Sequence, residues 1–149
     1  MTEPFTRDTT TDSNGPSWKT IRVLIAEDSV TIRYYLAELI DALPGFQVVG
    51  LAADGEQAVQ LTAELRPDVI SMDVRMPVLD GIAATRHIMA MCPVPVVIVS
   101  GLVEHDIDLS FKAIDAGALA VVGKPPAKDH PRFQQQHRDL VRTLAAMSK

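Results

Sequence analysis

The chain of 149 residues is long enough for one ordinary domain, and its 47% hydrophobic content argues for a folded globule. With aromatic residues at only 5%, the core must be largely aliphatic. A formal charge of −5 gives no reason to expect nucleic acid or an anionic membrane as partner, the single Cys92 can close no internal disulfide, and no stretch is apolar enough to span a bilayer. A reducing cytoplasm is the expected location.

Residues 1–18 are rich in Thr, Ser, Asp, Pro and Gly and carry no apolar h-region, which predicts a disordered leader rather than a signal peptide. A single domain is expected over 19–149. It opens with a strand, Ile21–Ala26, and a helix carrying Ile32, Leu36, Leu39, Ile40 and Leu43, stopped by Pro44-Gly45. A strand Gln47–Ala52 and a helix Gly55–Leu65 follow, the helix closed by Pro67. Next come Val69–Met72 as a strand and Gly81–Met91 as a helix, entered through the Asp80-Gly81 turn and ended before Pro93. Val96–Val99 is a strand, and Ile107, Phe111 and Ile114 mark a helix ended by Ala116-Gly117. Ala120–Val122 is the last strand, and a helix over about 132–147 completes the chain. The strands are near-continuous in Val, Ile, Leu and Ala, as expected when both sheet faces are covered. Strict βα alternation predicts an α/β fold, an open doubly wound parallel sheet with helices on both faces.

In such a sheet ligands gather beyond the carboxyl ends of the strands. The first strand ends in Glu27-Asp28, the third in Asp73, the fourth in Ser100 and the fifth in Lys124. Three carboxylates in one cleft repel, so they must raise a pKa or recruit a divalent cation. A donor set of oxygens without His or Cys favours Mg²⁺. An ammonium from Lys124 and a hydroxyl from Ser100 complete what phosphoryl transfer needs, with Asp73 as nucleophile forming an acyl phosphate.

The stretches "RVLIAEDS", "PDVISMDVRMPVLDG", "VPVVIVSG" and "DAGALAVVGKPP", spanning about Arg22 to Pro126, resemble the receiver domain of two-component response regulators. The resemblance implies a flavodoxin-like (βα)5 sheet in the order 2-1-3-4-5. It implies that Asp73 accepts phosphate from the phosphohistidine of a histidine kinase. Asp28 and Asp73 would bind Mg²⁺ with the backbone carbonyl of Arg75, and Glu27 would act largely through water. Ser100 would be the switch hydroxyl, Lys124 the phosphate contact, and Lys124-Pro125 a cis peptide. An effector or target would dock on the face of the last two helices.

"PVPVVIVSGL", "FKAIDAGALAVVGKP" and "LVRTLAAMSK" further resemble the receiver half of CheB-type chemotaxis methylesterases, in which a linker and a catalytic domain follow. No G-x-S-x-G occurs here, so the esterase chemistry itself is not expected of these residues. A receiver fragment of a larger regulator is expected, with a stand-alone receiver as the alternative.

Two positions depart from the usual pattern. Arg75, two residues after Asp73, either pairs with Glu27 or Asp28 or is a solvated loop residue. Val121 stands where many receivers carry a rotating Tyr or Phe, so switching would rely on the backbone after Ser100 and on the fourth helix. Several polar residues have plainer readings. Asp54, Asp68 and Asp80 fit turn or cap roles, and Ser29 can cap the first helix, which leaves Glu27 and Asp28 for chemistry. The histidines His87, His105, His130 and His137 lack ligand spacing and are expected to be solvated, and Cys92 to be a small buried side chain. A haloacid-dehalogenase-type phosphatase would need a second Asp where Arg75 stands. A pseudo-receiver that only binds partners is disfavoured by the intact set of Glu27, Asp28, Asp73, Ser100 and Lys124.

Overall fold

Alternate residues of each strand point to opposite faces of a sheet, and here both faces are apolar. Leu24, Ile70, Met72, Val96 and Ile98 face one way, while Val23, Ile25, Val69, Val97 and Val99 face the other. The computed structural model describes residues 20–101 and 107–149. The predicted leader over 1–18, His105 and the segment just after Gly101 lie outside the described residues.

The elements are β1 (Ile21–Ala26), α1 (Val30–Asp41), β2 (Phe46–Ala52), α2 (Gly55–Leu65), β3 (Val69–Met72), α3 (Gly81–Met91), β4 (Val96–Ser100), α4 (Ile107–Ala116), β5 (Ala120–Gly123) and α5 (Phe133–Met147). All strand pairs are parallel, in the order β2-β1-β3-β4-β5, as the resemblance implies. Ala58 of α2, Ala84 and Ile88 of α3 and Ala113 of α4 pack on the Leu24 and Ile70 face. Leu36 and Ile40 of α1 and Leu140 and Leu144 of α5 cover the other. Strand order reverses between β1 and β3, so the ends of these two strands flank the natural ligand crevice.

Local chemistry sets the helix starts. The side chains of Ser29, Asp54 and Asp80 accept hydrogen bonds from the backbone N–H of Ile32, Gln57 and Ala83, each satisfying an orphan donor of the first turn. α2 ends at Arg66, whose φ of 47° is left-handed, and the guanidinium of Arg22 donates to the carbonyls of Leu65 and Arg66 at that end.

Several expectations need correction. α1 begins at Val30 and stops at Asp41, so Leu43 lies beyond it. β2, β4 and β5 each reach one residue further than their patterns predict, because strand pairing with a neighbour fixes those ends. No cis peptide occurs among the described residues, so Lys124-Pro125 is trans. Trans is the isomer the local chain favours before proline, by about 0.5–1 kcal/mol. His137 is half-buried rather than solvated, stacked on the Phe133 ring at 5.1 Å, because i and i+4 share one helix face. Cys92 is half-buried.

Candidate functional site

The acidic pair follows directly on β1. Glu27 continues the strand's hydrogen bonding through its N–H to the carbonyl of Ala52, and is only 1% exposed, whereas Asp28 is exposed. On β3, four buried residues lead to Asp73, whose N–H donates to the carbonyl of Ala26. Asp73 is therefore held beside the end of β1, at 6% exposure. Oxygen atoms of Glu27, Asp28 and Asp73 all lie within 4.8 Å of one another.

Lys124 enters from the end of β5. Its Nζ lies 2.8 Å from Glu27 Oε1 and 3.3 Å from Asp73 Oδ1. Its backbone N–H donates to the carbonyl of Ser100 at 3.2 Å, tying the lysine to the end of β4. The other Glu27 oxygen accepts from the Ser29 N–H, and Asp73 Oδ1 also accepts from the Val74 N–H. The structure thus brings Glu27, Asp28, Asp73 and Lys124 together, with Ser100 buried at the adjoining strand end.

Burial pushes the Asp73 carboxyl up to about 6. The Lys124 charge opposes this shift and the Glu27 charge adds to it. Burial also acts to lower the Lys124 pKa, but its hydrogen bond to Glu27 and the charges of Asp73 and Glu27 outweigh that and raise it. The ammonium stays charged, and the carboxylate beside it ionises only above the usual range.

Between Asp73 and α3 the chain makes a tight return. Leu79 N–H donates to the Pro77 carbonyl across Val78, whose φ is +71°, a strained γ-turn for a β-branched residue. Gly81 N–H then donates to the Val74 carbonyl. A Cβ at Gly81 would sit 1.9 Å from the carbonyl oxygen of Asp73, so only glycine fits where the chain folds back on its own acidic residue. The sequence pattern marks Asp80-Gly81 only as a turn, and this close approach has no local signal. Arg75 is exposed and has no ion-pair partner among the described residues, which favours the solvated of its two readings. It lines an open cleft of about 900 Å³ together with Asp28, Met76, Asp80, Arg86 and Lys112. Val121 is half-buried against the core beneath α3 and α4.

Residues 23–132 match the model of the response regulator receiver domain. The chain is 50% identical over 129 residues to a protein-glutamate methylesterase/protein-glutamine glutaminase of Myxococcus xanthus, covering 87% of this chain and 36% of that protein. It thus spans little more than a third of the length of that relative. Among solved structures it is similar to the response regulator domain of Thermotoga maritima CheB, at 38% identity and a TM-score of 0.79, covering 87% of this chain and 97% of that one. It is also similar to a chain in the complex of the P1 domain of CheA3 with CheY6 from R. sphaeroides, at 29% identity and a TM-score of 0.72, with 87% and 97% covered. Receiver domains bind Mg²⁺ at an acidic cluster and interact with histidine kinases, and Glu27, Asp28 and Asp73 supply such a cluster here. The matched family model, the sheet order and the relatives agree: this chain belongs to the response regulator receiver domain family.

Proposed function

We propose that Asp73 is the phosphoacceptor of this receiver and that its acidic cluster holds Mg²⁺. The observation that carries this reading is a nearly buried carboxylate at the crevice strand end, clustered with two others and 3.3 Å from a lysine ammonium. Asp28 and Asp73 would hold the cation with the backbone carbonyl of Arg75, and Glu27 would act through water while it keeps Lys124 in place. An oxygen-only set with one exposed carboxylate suits a hard cation that retains waters. Bound there, the cation neutralises charge on the phosphoryl oxygens.

An Asp73 oxygen attacks phosphorus and the bond from phosphorus to the donor breaks. The donor is the imidazole nitrogen of a kinase phosphohistidine, or the acetate oxygen of acetyl phosphate. The product is an aspartyl phosphate, and the departing imidazole or acetate keeps the bonding pair. Lys124, held by Glu27, faces the incoming phosphoryl group as a fixed positive charge. Ser100 is the switch hydroxyl that follows the phosphoryl oxygens. With Val121 in place of an aromatic ring, the response passes through the backbone after Ser100 and through α4. The output partner or attached effector docks on the face of α4 and α5, where Ile107, Phe111 and Ile114 are exposed. Likeness to the receiver of CheB supports a chemotaxis setting, and a cytoplasmic location suits a receiver of this kind.

The test is intact mass after incubation with Mg²⁺ and acetyl phosphate. Wild type is expected to gain one phosphoryl group, and Asp73→Asn none. An unmodified wild type, or a mutant modified equally well, overturns the assignment.

A further inference from the structure

The first turns of α1 reach in two directions. Side chains on a helix lean toward its N-terminus, so Arg33, four residues past the Ser29 cap, leans back over the loop it came from. Its Nη1 donates to the carbonyl of Glu27 at 2.8 Å, with a longer contact of 3.5 Å to that of Asp28. The guanidinium also lies 5.8 Å from the centre of the Tyr34 ring, which limits its wandering. Two residues on, roughly half a turn round the helix, the Tyr35 hydroxyl donates to the carbonyl of Pro126 at 2.7 Å. That contact joins α1 to the segment that follows the site lysine.

The intervening chemistry makes this a stiff link. Lys124, Pro125 and Pro126 are consecutive, so two residues have φ fixed by their rings. Lys124 and Pro125 each precede a proline, which confines both to extended backbone. Few torsions remain between the phenol and the lysine. On its other side the Lys124 N–H is held by the Ser100 carbonyl. Burial, with the nearby charges of Asp129 and Glu38, raises the Tyr35 pKa above its ordinary value of 10.0, so the hydroxyl keeps its proton and remains a donor.

We propose that α1 is a two-point clamp on this site, with Tyr35 positioning Lys124 through the Pro126 carbonyl and Arg33 positioning Glu27 and Asp28 through theirs. Neither side chain touches the reacting atoms; both act through groups that do. The proposal rests on the phosphoacceptor reading of Asp73, and it separates two parameters that general destabilisation would move together. Loosening the lysine slows the chemical step, and loosening the acidic loop weakens the cation site.

Wild type, Tyr35→Phe and Arg33→Gln are compared for the rate of mass gain with acetyl phosphate across a Mg²⁺ series. Acylation of Lys124 by acetic anhydride, located by peptide mapping, is measured in parallel without phosphodonor. Tyr35→Phe is expected to lower the maximal rate roughly three- to tenfold, the worth of one partly buried hydrogen bond, with the Mg²⁺ half-saturation unchanged. It should also make Lys124 more reactive. Arg33→Gln should raise the Mg²⁺ half-saturation by a similar factor and, because Glu27 also holds Lys124, raise Lys124 labelling by less than Tyr35→Phe does. A Tyr35→Phe protein equal to wild type in both rate and labelling overturns the clamp. So does a pair of variants that lose rate and Mg²⁺ affinity together. If wild type takes up no phosphoryl group, the reading of Asp73 fails, and Lys124 labelling then decides the Tyr35 contact by itself.

Discussion

Asp73 is costly to keep ionised where it sits, and the cost has a sign that can be measured. Its ordinary pKa is 3.8, and in the fold burial moves it to about 6 against the pull of Lys124. Between those values the native state holds the proton more tightly than the unfolded chain does. The contribution of Asp73 to stability therefore falls as pH rises through about 4 to 6 and is flat above that window. Removing the charge should reverse the loss. Without Mg²⁺, Asp73→Asn is expected to be more stable than wild type at pH 7 by about 1–3 kcal/mol, the gain shrinking as pH falls toward 4. Urea unfolding at several pH values measures this, and an Asn variant that is less stable at pH 7 would sink it. Part of this residue's setting is legible in the sequence, because the polar ends of four apolar strands single out Glu27, Asp28, Asp73, Ser100 and Lys124. The close fit of Gly81 against the Asp73 carbonyl, and the Tyr35 contact to Pro126 across 91 positions, are not. Nothing local distinguishes a glycine that serves a turn from one that makes room for a distant atom.

At the scale of an element, the return from β3 into α3 joins fold to site. Asp80 caps the helix through the Ala83 N–H, and Gly81 lets the first turn pass over the Asp73 carbonyl. These adjacent residues should respond differently to alanine. Asp80→Ala loses a cap and about 1 kcal/mol, with the site's backbone in place. Gly81→Ala forces a methyl group onto the carbonyl of Asp73, so under the proposed acceptor role it should also slow phosphorylation markedly. Unfolding midpoints and acetyl phosphate kinetics on the two variants check this, and equal kinetics would refute it. Helices α2 and α3 begin and end where the sequence pattern places them, because Asp54, Asp80, Pro67 and Pro93 are local stop and start signals. The limits of β2, β4 and β5 lie one residue further out, since pairing with a neighbouring strand decides them.

At the scale of the whole molecule, the sheet brings chain segments nearly a hundred positions apart to one rim. A cation bound there would link the ends of β1 and β3 and favour the folded state by mass action, by about 2.7 kcal/mol at a hundredfold excess over its dissociation constant. The melting temperature of wild type is expected to climb with Mg²⁺, and that of Asp28→Asn to climb much less. Identical dependence in the two proteins would remove Asp28 from the cation site. The sequence by itself determined the alternation of strands and helices, the α/β class and the residues available at the strand ends, because apolar period, caps and prolines act over a few residues. Tertiary structure alone decided that Glu27 grips Lys124, that Arg75 stays in solvent and that Tyr35 reaches Pro126. Those outcomes depend on which strand lies beside which, and no short stretch of chain encodes that.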